Sequence, residues 1–331
     1  MRVGVVIVNY NARPSHGPCL DALARQTRPP DRVVVVDKAS GDGSDSAAQR
    51  PGVELWRLPH NVGFAAANNR AVAALVDVDY VALLNPDACP EPDWLGTLLV
   101  HVDRYPHHVA VGSTLLEARR PGHLDGTGDV YHVSGKVWRR DHGQPVGAPL
   151  SAAPCFSPCA AAALYQRTAW CAVGGMDEAL FCYLEDVDLG FRLRLAGYTL
   201  GHASKARVHH WSSACVGLGS DFQLYHGHRN LVWVYWQNLP AALLWRYVPQ
   251  HLLLNLTSVA FFTLKGRGRV IWRAKLDALK GMGRVWRRRR LIHRRRHVNA
   301  KDLLPHLARG LWAPYGQRLE RGLAPSPFEA S

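Results

Sequence analysis

The sequence predicts an α/β protein, with a mainly parallel, doubly wound sheet and a carboxyl-terminal helical extension. Three observations predict it. Through the first 115 residues, apolar runs rich in Val and Leu recur without polar alternation, as expected of strands buried on both faces. Segments of helical character separate those runs, so the strands are read as parallel. After about residue 222 the strand-like runs stop, and aromatic, aliphatic and finally arginine-rich helices replace them.

Residues 3–8 (VGVVIV) form the first expected strand, and 13–26 lead into a helix. RVVVVD (32–37) and VELWRL (53–58) supply the second and third strands. GFAAANNRAVAALV (63–76) is Ala-rich with one apolar face and reads as a helix. YVALLN (80–85) is the fourth strand, and PDWLGTLLVHVDRY (92–105) a further helix. Residues 118–150, rich in Gly, Pro, His and charge, read as a mobile excursion. Order resumes at 155–173 and continues through a helix at 186–196 that Gly197 ends.

A composition of 47% hydrophobic and 20% charged residues is that of a globular protein. The net charge of +14 is concentrated late, with eight arginines in RVWRRRRLIHRRR (284–296). That run suits anionic lipid, nucleic acid or a solvated face. The seven cysteines (Cys19, Cys89, Cys155, Cys159, Cys171, Cys182, Cys215) lack zinc-finger spacing and read as reduced thiols of a cytosolic protein. Six apolar residues at the start, with no cleavage site after them, do not make a secretory signal.

Ligands of open α/β sheets lie beyond the carboxyl ends of the strands. Here Asn9, Tyr10 and Asn11 follow the first strand, Asp37 closes the second, and Asn85 and Asp87 close the fourth. Asn61 and Gly63 stand where the helix after the third strand begins. Each alone could be a turn or cap residue; their recurrence at one sheet edge points to a site. No G-x-G-x-x-G follows the first strand, which disfavours a dinucleotide oxidoreductase.

In order, VIVNYN, VVVVDKASGDGS, HNVGFAAANN and LLNPDA resemble the successive blocks of the family 2 inverting glycosyltransferases, which have the GT-A nucleotide-diphospho-sugar fold. GGMDEALFCYLEDVDLGFRLRLAGY (174–198) resembles the acceptor-side block, and ARVHHWSSA (206–214) the closing histidine segment. The resemblance spans roughly residues 3–215 and implies a catalytic domain over 1–222. Its donor part would cover about 1–115, its acceptor part about 150–222, and the extension 223–331.

The resemblance implies that Val8, Asn9, Tyr10, Asn11 and Asp37 hold the base and ribose, with Asn61, Gly63, Asn68 and Asn85 completing the donor-binding set. It makes Asp87 the carboxylate for a divalent cation, Mg²⁺ or Mn²⁺, carried on the sugar-nucleotide diphosphate. Asn85 replaces the first acid of a full D-x-D, and Lys38 stands where relatives often carry Asn. The closing histidine is a metal ligand in the family; the flanking residues favour His210 over His209.

Glu185, Asp186 and Asp188 crowd one helix start, where acids favour the macrodipole. The resemblance makes Asp186 the general base and Glu185 an aid to acceptor binding. Inverting transfer is one in-line displacement, so one base suffices.

Residues 231–264 are the greasiest part, yet Arg246, Pro249, Gln250 and His251 interrupt them, and the last clean run is shorter than the ~20 residues a spanning helix needs. Trp233, Trp236, Trp245 and Tyr247 before the arginines suit peripheral attachment to an anionic membrane; helices packed on the catalytic domain are the alternative. Nucleic acid is a disfavoured partner. The sequence thus reads as a transferase at the cytoplasmic membrane face, using a nucleotide-diphospho-sugar and a lipid-linked or polysaccharide acceptor. Among relatives, rhamnosyltransferases have a similar layout. A catalytically inert polyanion- or nucleotide-binding protein is the other class considered.

Overall fold

The computed structural model describes residues 1–151, 155–211 and 219–313. Cys215 and most of the segment after His210 lie outside them. The apolar runs become β1 (Val3–Asn9), β2 (Arg32–Asp37), β3 (Val53–Arg57) and β4 (Tyr80–Leu84), paired in parallel in the order β3-β2-β1-β4. Successive side chains of a strand point to opposite faces. Val3, Val5 and Ile7 therefore meet α1 (Arg13–Ala24) and α3 (Trp94–Arg104) through Leu20, Leu23, Trp94 and Leu98. Val6 and Val8 meet α2 (Phe64–Ala74) through Ala67, Ala71 and Leu75 on the other face.

Beyond β4 the sheet becomes mixed. β5 (Ala88–Pro90) forms one edge, and β6 (His108–Glu117) lies further in. β7 (Leu124–Gly126) hangs from β6, while β8 (Asp129–Tyr131) and β9 (Val137–Arg139) form a separate hairpin. β10 (Ala162–Gln166) runs antiparallel between β4 and β6. β11 (Thr199–His210) pairs parallel with β6 and, at its end, antiparallel with β5. The connection from β10 to β11 carries α4 (Arg167–Ala172) and α5 (Glu185–Leu195).

The expected mobile excursion at 118–150 is corrected. Asp125, Thr127, Asp129, Tyr131, His132 and Val133 are buried. Their polar groups find tertiary partners that composition does not reveal: Arg139 pairs with Asp125, and Thr127 Oγ1 donates to Asp141 at 2.5 Å.

Four long helices follow: α6 (Asp221–Asn238), α7 (Ala241–Phe262), α8 (Gly268–Lys280) and α9 (Met282–Arg294). A turn at 263–267, with Gly266 at φ 74°, folds α8 back from α7. A third core joins these helices to the part before them, uniting Tyr131, Phe156, Phe191 and Leu195 with Val232, Tyr235, Leu243, Val285 and Leu303. The chain then stitches itself to its middle. Ala308 N donates to Tyr131 O at 2.9 Å, and Val133 N to Ala308 O at 3.0 Å.

Part of the arginine run belongs to this seam. Arg284 and Arg288 lie 2.9 and 3.0 Å from buried Asp177, and Arg289 donates to the carbonyls of Trp236 and Leu239. No helix of the described residues is long and apolar enough to cross a membrane.

Candidate active site

Asp87 sits in the turn between β4 and β5, and strand register brings it its neighbour. β5 pairs with the end of β11 so that Ala88 faces His210, and Trp211 N donates to Asp87 O at 3.0 Å. The period of two turns His210 inward and His209 outward, the latter 3.5 Å from Glu91. His210 Nε2 lies 3.3 Å from Asp87 Oδ1, and its Nδ1 donates to Asp125 Oδ2 at 2.8 Å. Arg139 pairs with the same Asp125 oxygen.

Charges of alternating sign decide the protonation here. Burial works against the Asp125 carboxylate, yet hydrogen bonds from His142 and His210 and the Arg139 charge hold it well below the usual range. Burial likewise opposes an imidazolium, but Asp125 and Asp87 raise the His210 pKa above its ordinary value.

The second cluster opens α5. Asp186 Oδ2 accepts from Ala160 N at 3.0 Å and Oδ1 from Val187 N at 2.8 Å. Asn85 N donates to Ala161 O at 2.9 Å. Consecutive residues 160 and 161 therefore tether the Asp186 carboxylate on one side and the strand end carrying Asp87 on the other. Burial raises the Asp186 pKa despite those amides. Glu185 is buried, with no hydrogen-bond partner for Oε2 among the described residues, and burial together with Asp186 pushes it up to about 8. Asp129, fully enclosed and facing Asp186, is also held above the usual carboxylate range. Asp188 instead ties the helix down, binding Arg192 at 2.7 Å and accepting from Gln237 and Asn238 of α6.

At the nucleotide edge, Asn9 Nδ2 donates to Asp37 Oδ1 at 2.7 Å and to Ser44 Oγ at 2.8 Å. Ser40 N and Oγ also donate to Asp37, so its carboxylate is fixed at the end of β2. Asn11, at φ 52°, accepts from Gly41 N at 2.9 Å. Lys38 lies over the Tyr10 ring at 5.4 Å and lowers the cost of charge on Glu185.

Not every expected donor-binding residue aims its side chain at this edge. Val8 is packed in the core, so only its backbone is left for a ligand. Asn68 turns back on its own helix, donating to Phe64 O at 3.0 Å. Asn61 Oδ1 accepts from Gly63 N, and a Cβ on Gly63 (φ 88°) would meet Phe181 at 2.7 Å, so that glycine is required by packing. Asp125, Asp129 and Arg139 were missed by sequence reasoning. The available signal was LDGTGDVY, two acids four apart among glycines and apolar residues.

A cation fits the first cluster in one specific way. Among the described residues no three His, Cys, Asp or Glu side chains are grouped to hold a metal by themselves. One carboxylate and one imidazole, Asp87 and His210, suit a hard cation that arrives with phosphate oxygens as its other ligands.

The model of glycosyl transferase family 2 matches residues 4–163. The chain is 30% identical over 250 residues to the N-acetylglucosaminyl-diphospho-decaprenol L-rhamnosyltransferase of Mycobacterium tuberculosis, covering 68% of this chain and 81% of that protein. Among solved structures, GalNAc-T7 with UDP, GalNAc and Mn²⁺ aligns at TM-score 0.60 and 14% identity, covering 76% of this chain and 49% of that one. S. aureus TarS 1-349 in complex with UDP-GlcNAc aligns at 0.56 and 17%, covering 97% and 92%. At such identities the likeness is of fold, and the fold is GT-A. The chain belongs to glycosyltransferase family 2. It is accordingly an enzyme of sugar transfer from nucleotide-sugar donors.

Proposed function

We propose that the protein is a divalent-cation-dependent inverting glycosyltransferase with Asp186 as general base, Asp87 and His210 as cation ligands, and a lipid-linked or polysaccharide acceptor. The observation that supports this reading best is the tether at residues 160 and 161, which holds the Asp186 carboxylate on one side and the strand end carrying Asp87 on the other. Asn9, Tyr10, Asn11 and Asp37 would meet the nucleoside, with Asn61 and Asn85 nearer the phosphates. Mg²⁺ or Mn²⁺, when bound, would neutralise charge on the departing diphosphate. Asp186 would take the proton of the attacking hydroxyl, its orientation fixed by two backbone amides. With a pKa of about 8, Glu185 stays largely protonated at neutral pH and does not repel that proton acceptor.

The M. tuberculosis relative supports a rhamnosyl donor and a diphosphate-linked lipid acceptor, and an acceptor of that kind suits cell-wall or polysaccharide synthesis. Attachment to the anionic cytoplasmic membrane face is supported by α7, whose exposed stripe holds Trp245, Leu252, Leu253 and Leu256. Nucleoside diphosphate release from a panel of sugar nucleotides, with acceptor and with or without Mn²⁺, tests the reading. Release that is acceptor-dependent and Mn²⁺-dependent is expected; no release from any donor would sink it.

A further inference from the structure

A cavity of about 510 Å³ separate from the donor edge lies between α6 and α8. Phe222, Tyr225 and His226 line it from α6, and Arg269, Val270 and Arg273 from α8. Asp221 at its rim is already paired with Arg267 at 2.5 Å. By contrast, Arg273 approaches Asp277 only to 3.8 Å, and Arg269 has no carboxylate within 4.0 Å among the described residues.

The aromatic wall of this cavity reaches the loop that leads into Glu185 and Asp186. The Phe222 ring lies 6.2 Å from Phe181 and 6.1 Å from Tyr183, and His226 stacks on Phe181 at 5.3 Å. Phe181, Tyr183 and Leu184 have φ of 67°, 70° and 67°, a conformation that is costly for such residues, immediately before Glu185 and Asp186. The other side of the cavity is greasy. Arg269, Trp272, Arg273 and Leu276 share one face of α8 by three- and four-residue spacing, and Trp272 and Leu276 are half-exposed. Leu264, at the tip between α7 and α8, is 88% exposed.

From the acids outward, then, the surface offers aromatic faces, two guanidinium groups and bare apolar side chains. Aromatic faces suit a sugar ring, paired guanidiniums suit phosphate oxygens, and the apolar strip suits hydrocarbon. We propose that this cavity is the acceptor site, with Arg269 and Arg273 binding the phosphate or diphosphate of a hydrocarbon-linked sugar whose hydroxyl lies at Asp186. The proposal rests on the assignment of Asp186 as base.

The test uses the full chain and the double variant R269Q/R273Q, both positions being on the surface. With a short prenyl-diphosphate-linked sugar as acceptor, its KM is expected to rise about 10- to 100-fold, the loss of about one hydrogen bond between charged groups, since solvent screens the two exposed guanidiniums. KM for the nucleotide-sugar should move less than about two-fold, and R269K/R273K should restore part of the loss. An uncharged alkyl glycoside of the same sugar should lose no more than about two-fold between parent and variant. Equal KM for the diphosphate acceptor in parent and variant would overturn the site, as would an equal loss with the alkyl glycoside. Direct binding of geranyl diphosphate, followed by intrinsic fluorescence, reads the cavity independently of turnover. Binding by the parent and about ten-fold weaker binding by the variant support the proposal even if Asp186 proves not to be the base. Competition by phosphatidylglycerol vesicles as effective as that by geranyl diphosphate would instead make the arginines a bulk headgroup contact and overturn it.

Discussion

The two acidic clusters differ in what burial does to them. Around His210 the charges alternate in sign, from Asp87 through the imidazole to Asp125 and Arg139, and burial strengthens each attraction. At the start of α5, Glu185, Asp186 and Asp129 are crowded together, and the same burial drives protons onto them. Equal enclosure thus yields opposite pKa directions, set by the sign of the neighbours. A divalent cation at Asp87 would displace the Nε2 proton of His210, whereas the second arrangement suits accepting a proton.

The largest test of that contrast is Asp186→Asn. Loss of a positioned base is expected to lower kcat about 10²- to 10⁴-fold while donor affinity, read by titration without acceptor, stays near that of the parent. Asp87→Asn should show the converse, losing Mn²⁺-assisted donor binding; unchanged metal dependence would remove Asp87 from the cation site. Asp125→Asn touches neither substrate nor cation, yet it holds the His210 ring, so Mn²⁺ affinity should fall about 10- to 100-fold. Calorimetry with donor diphosphate present measures this directly.

A smaller effect separates the clusters by pH. Glu185 has a folded pKa of about 8 against an ordinary 4.5, so the folded state binds the extra proton. Stability should therefore decline as pH rises from about 4.5 towards about 8, by at most about 1.4 kcal/mol per unit. Denaturation midpoints of Glu185→Gln should lose that decline; an identical profile would show that Glu185 is not held protonated. Smallest is the arginine pair. Arg288→Gln breaks a contact to buried Asp177 and should cost about 1–3 kcal/mol, whereas exposed Arg290→Gln should fall within about 0.5 kcal/mol of the parent.

The donor half was legible because its strands are buried on both faces, so that burial is written as continuous apolar runs from Val3 to Leu84. Asp37, Asp87, Glu185 and Asp186 stood out as acids at the edges of such runs. Asp125 and Asp129 did not. They lie on strands of three residues whose partners are remote, and glycine and histidine around them carry the composition of a loop. Strand periodicity needs more residues than that to show. The arginine run was legible only in part for a related reason: sequence shows how many charges there are, but only packing shows that Arg284, Arg288 and Arg289 are docked while Arg287 and Arg290 are exposed.

The stitch between residues 131–133 and Ala308 bears on synthesis by the ribosome. His132 Nε2 reaches Gly310 O across 178 residues of sequence. Strands β1 to β4 emerge early and pair among themselves, but Tyr131, Phe156 and Phe191 must wait for the last helices before their apolar faces are covered. Contacts of such separation form slowly and leave intermediates prone to aggregation. Nascent chains arrested before residue 300 should therefore be cleaved readily by protease in the 124–195 region while the β1–β4 region resists. The apolar middle of the chain is sealed only when residues 300–310 have left the tunnel.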